Sequence, residues 1–175
     1  MRDQLIKLRE RMKAHQIDVY LIPTTDYHGS EYVNAYFKCR SYVSGFTGSN
    51  GTLVVTMEEA RLWTDGRYFL QAAAQLKGSG IVLMKMEEPG VPSLMEYLEN
   101  VLTETSCLGF DGKVVDCAMG RQLEQKFTLC YDIDLVGEIW ADRPILCPTK
   151  IYALPECVTG ESSESKLADV YKRQR

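Results

Sequence analysis

The sequence predicts an α/β fold: a mixed six-stranded sheet with helices on both faces. Short apolar runs of strand length alternate along the chain with segments whose apolar residues recur at helical spacing. Two of these runs, 52–56 and 60–64, are separated by only three residues, the length of a hairpin turn. The strands are predicted to be parallel except where the hairpin forces an antiparallel pair, because parallel strands need a crossover segment between them.

The chain opens with a predicted helix over 3–15 and a predicted buried strand over 18–23. The helix is indicated by apolar residues that share one face, namely Leu5, Leu8 and Met12. The strand is indicated by a continuous apolar run that ends at Pro23. The polar and aromatic residues 24–40 then predict a surface loop that leads into a short helix near 30–37.

Helices and strands continue to alternate after the hairpin. In chain order we predict a helix over 66–77, a strand over 81–86, a helix over 92–102, a strand over 108–111, a helix over 117–127 and a strand over 131–136. Asp65 stands where a helix N-cap belongs, and Pro92 fits the first turn of its helix. The last strand alternates aspartates with apolar residues, a pattern typical of an edge strand.

Three glycines, Gly45, Gly48 and Gly51, lie within seven residues ahead of the hairpin, with Phe46 between the first two. Glycine at this density predicts a tight turn or a close approach of the backbone, because it adopts positive φ without steric cost. We interpret the stretch as a structural loop that packs Phe46 inward. It lacks the Gly-Lys-Ser/Thr ending of a phosphate loop and the Gly-x-Ser-x-Gly elbow of a serine nucleophile.

Asp65, Gly66 and Arg67 form the second short motif, directly after the hairpin. We interpret them as architecture: a helix cap, a turn, and a guanidinium available to a carboxylate. His15 ends the first helix, where it is expected to interact with the helix dipole rather than with a metal.

Composition limits the classes of function. A net charge of −4 without a basic cluster argues against nucleic acid as a partner, and no apolar run approaches the length of a membrane span. The N-terminus shows no secretory signal, so we expect a cytoplasmic protein. The six cysteines are widely spaced and contain no Cys-x-x-Cys pair, which predicts free thiols and no structural zinc site.

Two long motifs together resemble one family. Residues 44–51 have the form Ser-Gly-Phe-Thr-Gly-Ser-x-Gly, and residues 62–72 are Leu-Trp-Thr-Asp-Gly-Arg-Tyr-Phe-Leu-Gln-Ala. They resemble the creatinase/prolidase N-terminal domain, and more narrowly that of the cytosolic Xaa-Pro aminopeptidases (aminopeptidase P). The acidic, histidine-containing loop at 26–33, the sequence Ile-Trp-x-Asp-Arg-Pro at 139–144 and residues 152–160 extend the resemblance over roughly residues 1–168.

The resemblance implies a ribonuclease-H-like sheet and a parent metallopeptidase that removes the residue before proline. In the family, two divalent ions, usually manganese, are bound in a separate catalytic domain, and none of its ligand positions maps onto this chain. We therefore expect this chain alone to have no catalytic residues, no metal or other cofactor, and no activity. Its expected partners are the missing catalytic domain, further copies in a homo-oligomer, and a peptide with proline second.

A set of residues is interpreted as a substrate rim or subunit contact: Asp26, His28, Glu31, Arg40 and Phe46. Most of them follow a predicted buried strand, where α/β folds place ligand contacts, and in some family members this loop faces a neighbouring active site. An ordinary surface loop with half-buried tyrosines explains the same residues. A weak ion held by the histidine and its acidic neighbours is disfavoured by their position on a loop.

We predict three segments: an N-terminal domain over 1–137, a proline-containing linker over 138–158, and the truncated start of a second domain over 159–175. Ser162 is predicted to cap a helix there, and residues 170–175 are interpreted as foreign to the family's helix. Two alternatives stay open, a free-standing binding or oligomerisation module and the N-terminal domain of a creatinase-like amidinohydrolase. The second-domain start disfavours the first alternative, and the motif after the hairpin disfavours the second.

Overall fold

The computed structural model describes residues 2–174. Within that range the α-helices are α1 (Asp3–Ala14), α2 (Cys39–Ser44), α3 (Phe69–Gln75), α4 (Leu94–Val101), α5 (Cys117–Glu124), α6 (Leu135–Ile139), α7 (Glu156–Thr159) and α8 (Ser163–Arg173). The strands are β1 (Val19–Ile22), β2 (Thr52–Thr56), β3 (Ala60–Thr64), β4 (Ile81–Lys85), β5 (Cys107–Gly109) and β6 (Thr128–Cys130). Short 3-10 helices lie at Ala35–Phe37, Gly66–Tyr68 and Gly112–Val114.

The six strands form one mixed sheet in the order β4-β3-β2-β1-β5-β6. Strand β2 is antiparallel to both of its neighbours, and all other neighbouring pairs are parallel. Leu53 in β2 lies opposite Ile22 on one side and opposite Leu62 of the hairpin on the other. The predicted fold class is therefore confirmed.

Helices cover both faces of the sheet and create two cores. Helices α1, α2, α3 and α6 contribute to one core, and α4 and α5 contribute to the other. Strand β1 lies inside the sheet, and its side chains alternate: Tyr20 and Ile22 join the first core, whereas Val19 and Leu21 join the second. Burial on both faces explains why this strand is a continuous apolar run.

The edge strand predicted over 131–136 is wrong. The sixth strand ends before this segment, and a helix, α6, begins at Leu135. Asp134 caps that helix by accepting a hydrogen bond from the Gly137 amide at 2.8 Å. The Leu135 amide donates to the buried Tyr20 hydroxyl at 3.0 Å. One of the alternating aspartates is thus a helix cap, and the apolar residues after it belong to the helix.

The short helix predicted near 30–37 begins later than expected. The Asn34 side chain accepts a hydrogen bond from the Tyr36 amide at 3.0 Å and so starts the 3-10 helix at Ala35–Phe37. Helix α2 follows and ends at Gly45, whose φ of 77° lies in the left-handed region. The first glycine of the glycine-rich stretch is therefore a helix C-cap.

The packed body continues past residue 137, where the sequence predicts the end of the first domain. Helix α6 crosses that position, and the Trp140 ring stacks on Tyr42 with ring centroids 4.4 Å apart. The Arg143 guanidinium pairs with the Asp134 carboxylate at the start of α6. Farther along the chain, none of the described residues in α7 and α8 is buried.

Two further sequence predictions agree with the structure. Ser162 caps α8, because its hydroxyl accepts a hydrogen bond from the Ser165 amide at 3.2 Å. Helix α8 continues to Arg173, and the proposal that 170–175 are foreign stays a prediction. All six cysteines are free thiols.

No helix within residues 2–174 combines the length and the apolar character needed to cross a bilayer.

Candidate functional site

A groove of about 700 Å³ runs along the carboxyl edge of the sheet. Its walls include residues 23–31, which follow β1, and residues 113–116, which come after β5. Residues 49–52 lead into β2 and also line the groove. Strands β1 and β5 are adjacent and parallel. The chain continues from β1 to β2 on one side of this pair and from β5 to β6 on the other. Ligands in α/β sheets commonly bind at such a point, so we take this rim groove as the candidate site.

Asp26 shapes the first wall of the rim groove. Its Oδ1 accepts hydrogen bonds from the amides of His28 at 2.9 Å and Ser30 at 3.0 Å. These bonds, that from the Ser30 amide first, lower the pKa of Asp26. The carboxylate is thus engaged by its own loop, whereas the His28 side chain is exposed at the groove.

Glu31 connects this loop to the hairpin side of the groove. Its Oε1 accepts a hydrogen bond from the Ser49 hydroxyl at 3.1 Å and one from Arg67 Nη1 at 3.4 Å. The Ser49 hydroxyl lies 2.7 Å from the Tyr68 hydroxyl, and the bond between them lowers the pKa of Tyr68. Side chains from three separate segments therefore form one polar network.

Asp65 and Arg67 form a bidentate ion pair, with Nε to Oδ1 at 3.0 Å and Nη2 to Oδ2 at 2.9 Å. Asp65 also accepts a hydrogen bond from the Arg67 amide at 3.0 Å, as an N-cap does, and Gly66 starts the 3-10 helix. The Arg67 side chain lowers the pKa of Asp65 to about 2. The cap and turn are as predicted, and the carboxylates that use the guanidinium are Asp65 and Glu31.

Arg40 and Phe46 lie beneath the rim, with exposed fractions of 3% and 0%. Arg40 donates to the Thr24 hydroxyl, to the Phe46 carbonyl at 2.9 Å and to the Gly48 carbonyl. Its guanidinium carbon is 4.6 Å from the centroid of the Phe46 ring. Burial lowers the pKa of Arg40 to about 10. These contacts join Thr24, just after β1, to the glycine-rich stretch, and Phe46 packs inward as predicted.

The glycines permit this close packing. A Cβ added at Gly48 would lie 2.3 Å from Cζ of Phe46 and 2.8 Å from Cδ1 of Tyr68. A Cβ added at Gly51 would lie 2.8 Å from the Trp63 carbonyl oxygen. A Cβ added at Gly45 would lie 2.5 Å from Nη1 of Arg2, so the predicted close approach is present at all three glycines.

A second cavity, of about 300 Å³, opens beside the first and shares Glu31 with it. We call it the Arg40 cavity. Its lining includes three charged residues, Arg40, Lys38 and Glu31, and an apolar or aromatic set, Tyr32, Val33 and Phe37. Lys38 is exposed, and no ion pair to it is present among residues 2–174.

The acidic and histidine side chains of the rim groove are not arranged as a metal site. Across residues 2–174, no three His, Cys, Asp or Glu side chains lie close enough together to hold a metal ion. Asp26, His28 and Glu31 are near one another in the sequence but do not form such a group. The carboxylates of the rim are occupied by amides, by Ser49 and by Arg67.

Sequence reasoning missed several residues of this site. Ser49 and Tyr68 stand next to residues that it did single out, so the two motifs contained the signal. Residues 113–116 carry no motif, and only the neighbouring position of β1 and β5 brings them to the groove. That neighbourhood depends on strand order, which local periodicity does not reveal.

Comparison with known proteins identifies relatives over nearly the whole chain. Residues 4–145 match the Creatinase/Prolidase N-terminal domain. The chain is 43% identical over 136 residues to Aminopeptidase P2 of Arabidopsis thaliana, covering 73% of this chain and 19% of that protein. It is 37% identical over 181 residues to Aminopeptidase P1 of Lotus japonicus, covering 99% of this chain and 27% of that protein.

Solved structures share the fold. The X-prolyl aminopeptidase of Caenorhabditis elegans, a cytosolic enzyme with a di-nuclear active site, superposes with a TM-score of 0.85 at 33% identity. That match covers 98% of this chain and 30% of that one, so this chain spans less than a third of the aminopeptidases that it resembles. With the family match covering 142 residues, from 4 to 145, the chain belongs to the Creatinase/Prolidase N-terminal domain family.

Proposed function

We propose that this chain is the non-catalytic N-terminal domain of a metal-dependent Xaa-Pro aminopeptidase, which removes the N-terminal residue of a peptide before proline. The observation that carries the proposal is the superposition on the Caenorhabditis elegans aminopeptidase, with a TM-score of 0.85 over 98% of this chain. The Xaa-Pro dipeptidase of Bacillus anthracis reaches only 0.60 at 19% identity, a likeness of fold alone.

The catalytic chemistry belongs to the part of the parent protein outside this chain. Two divalent ions, proposed to be manganese, would activate one water for attack on the peptide bond. The di-nuclear active site of the Caenorhabditis elegans relative supports a count of two. The residues of this chain would bind the peptide and shape its access to the catalytic site, because their side chains already form a hydrogen-bonded polar network.

The rim groove is the proposed contribution of this domain to substrate access. Its charged groups are held in place before any ligand arrives, since Glu31, Ser49 and Arg67 are joined by hydrogen bonds. Preformed polar groups lose less conformational entropy on binding than mobile ones do. The exposed His28 and Tyr32 side chains would contact the peptide or a neighbouring subunit of a cytoplasmic homo-oligomer.

The test is an activity assay on a longer protein that carries this domain, with manganese and a peptide that has proline second. The matched control peptide has alanine in place of proline, and creatine tests the amidinohydrolase alternative. We expect release of the first residue only from the proline peptide. Hydrolysis of creatine, or no hydrolysis of any of the three, would refute the proposal.

The access role has its own test in the same protein. We expect His28→Ala to raise KM several-fold while kcat changes little, because the side chain is exposed at the groove. Lys85→Ala, in the edge strand β4 and outside the groove, is the control. Equal KM values for both variants and the unmodified protein would leave the groove without a role in access.

A further inference from the structure

The Arg40 cavity is lined by a buried positive charge that has only uncharged acceptors among residues 2–174. Arg40 is 3% exposed, and its acceptors are two backbone carbonyls and the Thr24 hydroxyl. In the described part of the chain no carboxylate forms an ion pair with it. Keeping a cation out of water without a counter-charge is unfavourable, so buried charges are normally paired.

The guanidinium also has N–H groups that make no hydrogen bond to the described residues. It has five N–H groups, and the three hydrogen bonds use one each on Nε, Nη1 and Nη2. The second N–H on each terminal nitrogen has no acceptor among the described residues. Unused guanidinium N–H groups are the donors that an arginine offers to a carboxylate.

The remaining lining of the cavity favours an anion with an apolar part. Lys38 adds a second positive charge, and the Thr47 hydroxyl also lines the cavity. The apolar and aromatic lining residues are Tyr32, Val33 and Phe37, of which Tyr32 is 83% exposed. Among the described lining residues only Glu31 opposes an anion, and it forms an ion pair with Arg67.

We propose that the Arg40 cavity binds the C-terminal carboxylate of a short peptide. The side chain of the peptide's last residue would then contact Tyr32, Val33 and Phe37. This inference rests on the proposed function in one respect, since it takes a peptide as the ligand. A cavity of about 300 Å³ is at the lower end of small-molecule sites, which suits one end of a peptide rather than its whole length. The parent enzyme would then favour short peptides with a free carboxyl end.

The test is a binding measurement on this 175-residue chain, independent of catalysis. The probes are the tripeptide Gly-Pro-Leu and its C-terminal amide, followed by NMR shifts of the backbone amides of residues 47–49. We expect the acid to bind with a dissociation constant on the order of 1 mM, and the amide about tenfold more weakly. Equal binding of acid and amide, or no binding of either, would overturn the proposal.

Charge variants at exposed positions make the test independent of folding. Lys38→Gln should weaken binding of the acid about threefold, and Glu31→Gln should strengthen it by a similar factor. Lys77→Gln removes the same charge at an exposed position outside the cavity and should leave binding unchanged. Equal affinity in Lys38→Gln and Lys77→Gln would place the carboxylate elsewhere and overturn the proposal.

Inorganic phosphate distinguishes a peptide end from an anion in general. Phosphate should bind more weakly than the tripeptide acid, because it cannot contact Tyr32 or Phe37. Phosphate that binds as tightly as the acid would overturn the peptide assignment. Failure here differs from failure of the proposed function, which is judged by hydrolysis in the longer protein and needs no binding to this cavity.

Discussion

At Arg40, three protein acceptors replace the water that usually surrounds a guanidinium. The sequence singles Arg40 out because it lies at the end of the polar and aromatic segment 24–40. Residue type alone, however, predicts an exposed side chain for arginine. Its burial follows from Gly48 and Phe46, which bring backbone carbonyls to it. The residue that sequence analysis placed on the rim is therefore the one that holds the rim in place.

Replacing Arg40 with methionine should destabilise the chain. Arg40→Met leaves the Phe46 and Gly48 carbonyls without their donors, and we expect the free energy of unfolding to fall by about 2 kcal/mol. Lys38→Met is the control and should change it by less than about 0.5 kcal/mol, since that side chain is exposed. Urea unfolding measures both values. An Arg40→Met chain as stable as the unmodified one would show that these bonds contribute nothing net.

Asp65 should make stability depend on acid pH. Its pKa of about 2 in the folded chain lies below the ordinary value of about 3.9 for an unfolded aspartate. The carboxylate therefore stabilises the fold above about pH 4, and this contribution is lost as pH falls towards 2. Urea midpoints at pH 6 and pH 3 should differ less in Asp65→Asn than in the unmodified chain.

The matched control for that pH experiment is Asp142→Asn. Asp142 is exposed and forms no ion pair among residues 2–174. Its variant should retain the full difference between the two midpoints. If Asp65→Asn and Asp142→Asn behaved alike, the ion pair with Arg67 would not be the source of the pH dependence.

At the scale of elements, sequence patterns located helices and strands well where burial alone determines the pattern. The continuous apolar run of β1 and the hairpin appear as predicted, because side chains on both faces of a central strand are buried. Errors occur where a capping residue sets the boundary. Asp134 caps α6 inside a segment that was predicted to be a strand. Pro92 lies before Ser93, the N-cap of α4, rather than in the first turn of that helix.

Two glycine-to-alanine changes should have opposite effects. Gly48→Ala forces its methyl group against Phe46 and Tyr68, and we expect a loss of about 2 kcal/mol of stability. Gly120→Ala lies in the middle of α5, where the added carbon would have no neighbour within 4 Å other than the adjacent residues and backbone of its own helix, and should gain about 0.5–1 kcal/mol. Thermal unfolding compares them. A neutral Gly48→Ala would mean that the glycine-rich stretch is looser than the structure shows.

At the scale of the whole molecule, strand order creates the site. Residues 23–31, 49–52 and 113–116 are far apart in the sequence and meet only because β2, β1 and β5 are consecutive in the sheet. Alternation of apolar runs predicts that the sheet is mixed and six-stranded, but not which loops share an edge. The sequence could therefore identify one wall of the rim groove, and the fold was needed for the other.

The body of the domain should end near residue 144. A chain shortened to 1–144 should melt within about 2 °C of the full chain, because α7 and α8 bury no described residue. A chain shortened to 1–137 should melt on the order of 10 °C lower, since it loses Trp140 and Arg143. Equal melting temperatures for the two shortened chains would instead support a boundary at 137.

The central claim, that this chain is a non-catalytic part of a Xaa-Pro aminopeptidase, is tested most directly by one comparison. Release of the first residue from a Xaa-Pro peptide is measured with manganese for this 175-residue chain and for a longer protein that carries it, at equal molarity. We predict turnover by the longer protein and none above buffer by this chain. Turnover by this chain alone would contradict the account and would place a reaction centre among the residues of the rim groove.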